Sequence, residues 1–211
     1  MKDETRHVQM NEAMWDKWAE ADTLDNNGPQ SRFLRADQSK VISLLNIQPG
    51  VHFLDIGCGT GWAVGQAANL VKGNGLFYGV DLSPKMIEKA KSYFSGKDNF
   101  RFIQANSESI PLNDSFFDII ICTNSFHHYL NPDKALKEMR RLLKSGGKLY
   151  LLDPLADSWI AKLFDVIKKR TEPEHVKIYS TKEFQQLFKQ AGLKYSSAAT
   201  SWRQGVHVGE E

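Results

Sequence analysis

Three glycines at alternate positions, in Leu54-Asp-Ile-Gly-Cys-Gly-Thr-Gly61, are the residues whose spacing first suggests chemistry. Glycine reaches positive φ without steric cost and lets a ligand lie against the main chain where a Cβ would stand. The loop follows a strand-like run and opens a helix-like one, and a helix N-terminus offers unpaired N–H groups and a positive dipole end that suit a carboxylate. Asp55, at the strand's end, is placed to take hydrogen bonds from an ammonium group. Asp55, Gly57, Cys58, Gly59 and Gly61 thus describe a cradle for an amino acid. Twenty residues beyond Gly61, Asp81 ends the next strand-like run in Tyr78-Gly-Val-Asp-Leu-Ser-Pro84. A carboxylate there can accept from both hydroxyls of a ribose, as in the dinucleotide-binding folds. The expected ligand is a nucleoside that carries an amino-acid group. A dinucleotide calls for G-x-G-x-x-G, whereas Trp62 stands where that pattern needs its third glycine, so NAD is the weaker alternative.

Positioning such groups requires strand and helix to alternate, and the chain does so from residue 51 onward. Strand-like runs fall at 51–55, 76–81, 100–105, 116–122 and 148–152. Helical patterns fall at 61–72, 84–95 and 132–144, the last stopped by Ser145-Gly-Gly147. That order predicts a parallel sheet covered on both faces. Later come a helix over 158–170, another over 181–191 with Thr181 as its N-cap, and a closing hairpin from 193–201 and 205–209. Ahead of the sheet, helices are expected over 11–20 and 32–45, separated by the turn composition Asp25-Asn-Asn-Gly-Pro29.

Composition narrows the class. The 211 residues are 41% hydrophobic and 25% charged, enough for one sizeable core. A net charge of +2, from 27 basic and 25 acidic residues, argues against a nucleic-acid or membrane-surface partner. The charged N-terminus has no signal-peptide pattern, and no apolar run is long enough to span a bilayer. A cytoplasmic monomer or homodimer is expected, with Cys58 and Cys122 as reduced core thiols. No metal site is expected.

Five motifs in order resemble the class I S-adenosylmethionine (SAM)-dependent methyltransferases, within them the ubiquinone/menaquinone-biosynthesis (methyltransferase type 11) group. They are Asp55-Ile-Gly-Cys-Gly-Thr-Gly61, Gly79-Val-Asp-Leu-Ser-Pro-Lys-Met86, Gln104-Ala-Asn-Ser-Glu-Ser-Ile-Pro111, Phe117-Asp-Ile-Ile-Ile-Cys122 and Leu142-Leu-Lys-Ser-Gly-Gly-Lys148. The resemblance implies an α/β Rossmann-like three-layer sandwich whose seven-stranded sheet is mostly parallel with the last strand antiparallel. It implies SAM as cofactor and S-adenosylhomocysteine as product, with Leu82 and Met86 against the adenine, Asn106 at its amino group and the Ser107 amide at a ring nitrogen. Asn124, after the fourth strand, is counted with these cofactor-binding residues. The group usually has aspartate at position 106, and a neutral asparagine is a weaker acceptor. One domain is expected over 1–211: a helical cap at 1–46, the SAM-binding core at 51–154, a lid at 157–180 and a closing helix and hairpin at 181–211.

The expected reaction is methyl transfer to a small-molecule acceptor by in-line displacement. An RNA or protein methyltransferase is the alternative, weakened by the near-neutral charge and by Asn124-Ser-Phe-His127 standing where such enzymes carry Asn/Asp-Pro-Pro-aromatic. A non-catalytic SAM-binding subunit is another. His127 or His128 is a candidate general base, though packing is the favoured role for the pair and no catalytic residue is assigned. Trp15 and Trp18 suit either a core stripe or a cofactor contact. Lys168, Lys169, Arg170, His175 and Lys177 read as an exposed basic group near the site, and Thr171-Glu-Pro-Glu174 as the lid's moving turn.

Overall fold

The computed structural model describes residues 2–20, 29–172, 175–200 and 204–211. Two helices, α1 (Lys2–Glu20) and α2 (Pro29–Leu44), precede β1 (Val51–Ile56), α3 (Trp62–Leu70), β2 (Gly75–Asp81), α4 (Pro84–Tyr93) and β3 (Phe100–Gln104). Then follow β4 (Phe117–Thr123), a 3-10 turn (Phe126–His128), α5 (Pro132–Leu142), β5 (Leu143–Pro154), α6 (Trp159–Thr171), α7 (Thr181–Gln190), β6 (Lys194–Thr200) and β7 (Gln204–Glu210). The seven strands form one sheet in the order β3-β2-β1-β4-β5-β7-β6. Neighbours pair in parallel from β3 to β5, and β7 lies antiparallel to both β5 and β6.

Central strands β1 and β4 are buried almost throughout because helices cover both faces. Alternation along β1 divides the core. Leu54 and Ile56 face Leu136 and Met139 of α5 and Phe184 of α7. Val51 and Phe53 face Val41 of α2, Ala63 and Ala67 of α3 and Ala90 of α4. Every strand of the parallel half therefore ends at the same edge, and the loops leaving β1, β2 and β4 converge there.

Boundaries differ from the sequence reading where a local pattern hid them. Helix α1 begins at Lys2 rather than at residue 11, its first turns being too polar to show an apolar period. Strand β5 starts at Leu143, paired with Phe117, and a bulge with Gly146 at φ 74° carries it through the glycines read as a stop. The N-cap of α7 is Ser180, not Thr181: its hydroxyl accepts from the Glu183 amide while the Glu183 carboxylate accepts from the Ser180 amide, a closed capping box. Pro29, read as the end of a turn, opens α2 instead, three residues ahead of the helix expected from residue 32, while the rest of that turn (25–28) and residues 173–174 of the turn at 171–174 lie outside the described residues.

Candidate functional site

Where β1, β2 and β4 end, the chain surrounds a cavity. One wall is the glycine loop and strand ends: Gly57, Cys58, Gly59, Asp81, Leu82, Met86, Asn106, Ser107 and Asn124 all line it. Two of the residues singled out in the sequence, Asp55 and Gly61, do not. The opposite wall comes from α1 and α2, through His7, Val8, Asn11, Trp15, Leu34, Arg35 and Gln38.

The glycine loop is held by β2. Gly57 and Cys58 donate to the Val80 carbonyl at 2.8 and 3.0 Å, and Gly59 donates to Asp81 Oδ2 at 2.8 Å. These amides are engaged, so a ligand carboxylate must look to the first turn of α3, whose N-cap Gly61 supplies no side chain. Gly61 itself has a structural task. At φ 84°, a Cβ there would lie 2.8 Å from the Phe102 ring. A Cβ on Gly57 would lie 2.5 Å from Ser125 Oγ. Both glycines allow the loop to pack on the protein.

Asp55 is wholly buried beneath the loop, and neither carboxylate oxygen has a hydrogen-bond partner. Burial, reinforced by the charge of Asp81, pushes its carboxyl up to about 8. Asp81 is also raised by burial, but its two oxygens accept from the amides of Gly59 and, at 2.9 Å, Ser83, and these bonds oppose the rise. Each Asp81 oxygen keeps acceptor capacity for another donor. Asn106 Oδ1 accepts from the Glu108 amide at 3.0 Å, an Asx turn that fixes the side chain at the cavity wall. Asn124, with φ 51°, donates its side-chain amide to Asp37 Oδ2 at 3.2 Å. Buried Asp37 also accepts from Gln204 at 2.6 Å, so α2 is tied to the ends of β4 and β7.

The adjacent histidines diverge. His128 lines the cavity, with Trp15 edge-on at 5.5 Å, and its carbonyl accepts from His7 Nε2 at 3.1 Å. His127 turns away, 2.9 Å from Asp153 Oδ1. Burial pushes His127 down and Asp153 up. Trp15 thus takes the cavity-facing role of the two left open. His175 departs from the exposed basic group expected of it: it is buried, with Nε2 2.8 Å from Asp165 Oδ1. His7, Asn11, Arg35 and Gln38 escaped the sequence reading because no motif links them to the loop; the His7 to His128 bond joins residues 121 apart. Cys58 and Cys122 are buried and unbridged. No group of three or more metal-ligating side chains occurs, and no helix is long and apolar enough to cross a membrane, among the described residues.

A seven-stranded sheet with one antiparallel strand, and a glycine loop after its first strand, defines a Rossmann-like methyltransferase. Residues 47–192 match the family described as a methyltransferase domain, and the chain belongs to that family. An uncharacterized methyltransferase, YcgJ of Bacillus subtilis strain 168, is 34% identical over 146 residues, 67% of this chain and 56% of that protein. The ubiquinone/menaquinone biosynthesis C-methyltransferase UbiE of Shewanella frigidimarina is 32% identical over 115 residues, 53% of this chain and 46% of that protein. The chain spans about half the length of these curated relatives. The crystal structure of YcgJ superposes with a TM-score of 0.71 at 30% identity, covering 78% of this chain and 71% of that one. A chain of the complex between the Haloferax volcanii Trm112 methyltransferase activator and its putative methyltransferase gives a TM-score of 0.79, covering 93% and 96%. At 18% identity that likeness shows the fold alone.

Proposed function

We propose that the chain binds SAM in this cavity and passes its methyl group to a small-molecule acceptor held under α1 and α2. The observation that carries the reading is Asp55. Asp55 lies beneath the glycine loop and not on the cavity surface, yet a buried carboxylate without a partner is costly, and an ammonium group bound at that loop would offset the cost through the loop. The remaining residues suit the other parts of SAM: Asp81 for the ribose hydroxyls, the first turn of α3 for the carboxylate, Leu82 and Met86 for the faces of the adenine, Asn106 and Ser107 for its polar edge. Gly57, Cys58 and Gly59 shape the loop between them, and Asn124 braces the far wall through Asp37.

When bound, SAM supplies a methyl group already activated on a sulfonium. The chain's own residues then have to orient the acceptor and exclude water, and such positioning is worth about 7 kcal/mol or more in favourable cases. Of the two histidines that line the cavity, His7 and His128, His128 is the one assigned to take a proton from an acceptor. The acceptor side of the cavity falls to α1 and α2, which precede the family-matched residues 47–192. In this reading residues 1–46 cap the SAM-binding core at 51–154, residues 157–180 form the lid, and 181–211 close the sheet.

Calorimetry with SAM, S-adenosylhomocysteine and NAD tests the proposal. SAM and S-adenosylhomocysteine should bind and NAD should not; tight NAD binding with no SAM binding would overturn it. Asp81→Ala should cost about 1.5–3 kcal/mol of binding, the range for hydrogen bonds to a charged group.

A further inference from the structure

We propose that α6 docks the protein on an anionic lipid surface. Helix α6 is turned inside out. Asp165 is its one buried residue, whereas Trp159 is 74% exposed, Phe164 57% and Leu163 52%. Ile160, Val166 and Ile167 are exposed as well, and together these six are most of the exposed large hydrophobics among the described residues. At about 100° per residue they span one arc of roughly 160°, which in the last turn of the helix also takes in Arg170 and Thr171. The opposite arc holds Ala161, Lys162, Asp165, Lys168 and Lys169.

This orientation is built in. Asp165 Oδ1 accepts from the Ile178 amide at 2.7 Å and lies 2.8 Å from His175 Nε2, while Lys169 lies 2.8 Å from Oδ2. The N-terminus is capped, with Ser158 Oγ accepting from the Ala161 amide at 3.1 Å. A buried acid therefore fixes the polar side inward and commits the apolar arc to face outward.

Charge selects the occupant. Lys168 pairs with Glu172 at 2.8 Å and Lys169 with Asp165, which leaves Lys162 and Arg170 as the surplus cations of the helix. An apolar face flanked by lysine and arginine, with tryptophan at one end, is the pattern of a helix lying in the plane of a bilayer, its ring in the acyl boundary and its cations among phosphates. A second copy would bring the same cationic flanks against each other, which disfavours self-pairing. The net charge of +2 does not register this patch, because a local surplus of two cations is small among 27 basic and 25 acidic residues. The return segment also joins the site: the amides of Val176 and Lys177 donate to the His127 carbonyl at 3.0 and 3.1 Å. The proposal is independent of the methyl acceptor's identity.

Co-sedimentation with vesicles tests it. The full chain should pellet with vesicles of equal parts phosphatidylglycerol and phosphatidylcholine, and about tenfold less with phosphatidylcholine alone or at high salt. Joint Leu163→Glu and Phe164→Glu substitution should abolish pelleting, with the circular dichroism melt and S-adenosylhomocysteine affinity retained. Joint Lys162→Glu and Arg170→Glu substitution should remove the preference for anionic vesicles. If the wild type pellets with neither vesicle, or the apolar double variant pellets like the wild type, the proposal fails. A wild-type dimer in sedimentation velocity that this variant converts to monomer would assign the face to a second copy and overturn it equally.

Discussion

The Ser83 hydroxyl, which caps α4, donates to Asp16 Oδ1 at 2.5 Å, and the same oxygen accepts from the Lys85 amide at 3.3 Å. One carboxylate on α1 thus grips the positive end of α4 and holds the cavity's outer wall in place. Asp16→Ala should release α1 without disturbing the sheet. Amides of residues 2–20 should exchange about tenfold faster, and S-adenosylhomocysteine should bind more weakly. Unchanged exchange would mean that α1 is held by its other contacts.

Asp55 makes a prediction with a definite sign. Its folded value, about 8, lies above the unfolded value of about 3.9, so the folded chain holds the extra proton between them. Stability contributed by this group is full below about pH 4 and falls as pH rises to about 8, at about 1.4 kcal/mol per unit. Asp55→Asn should flatten that slope, read as the difference between the two proteins in urea unfolding across the range. An ammonium-bearing ligand should also expel the proton, so the heat of S-adenosylhomocysteine binding at pH 7 should vary with the ionisation enthalpy of the buffer.

The parallel half of the sheet was legible because strands buried on both faces show unbroken apolar runs between glycine and proline punctuation. The glycine loop was legible for a related reason: positive φ at Gly57, Gly59 and Gly61 restricts the residue type. What each glycine serves was not. The Cβ of Gly61 would meet Phe102, a residue on another strand, and no local pattern records that approach. The α1 wall was hidden likewise, since Asn11 and His7 gain meaning only when a helix begun at Lys2 crosses the sheet's end. The outward face of α6 runs against the usual rule that an amphipathic helix turns its apolar stripe inward, so periodicity alone would have buried it.

Gly61→Ala should therefore damage stability before it damages binding. Positive φ and the 2.8 Å approach to Phe102 together should cost about 1–3 kcal/mol. Denaturant midpoints measure the cost, and pairing the change with Phe102→Leu should recover part of it. Failure of that rescue would show that backbone strain alone is responsible.

Asn106 allows a gain of affinity. Asn106→Asp keeps the acceptor for the Glu108 amide and adds a charge, and charged hydrogen bonds are roughly twice as strong as neutral ones. S-adenosylhomocysteine should bind about fivefold tighter, whereas Asn106→Ala, which loses the turn and with it the proposed adenine contact, should bind more weakly. Calorimetry that finds both variants equal to the wild type would place the adenine elsewhere.

Strand β7 sits between β5 and β6 although it follows both in the chain. A ribosome therefore delivers β5 long before its neighbour. From Pro154 to Gln204, partners in the finished ladder, about fifty residues must emerge, some 2.5–10 s at about 5–20 residues per second. During that interval the β5 edge that β7 will cover, carrying Leu149, Leu151 and Leu152, has no permanent neighbour. Chaperone demand should centre on this strand, and a chain cut short just before Gln204 would carry all the loops around the cavity and an open, sticky sheet.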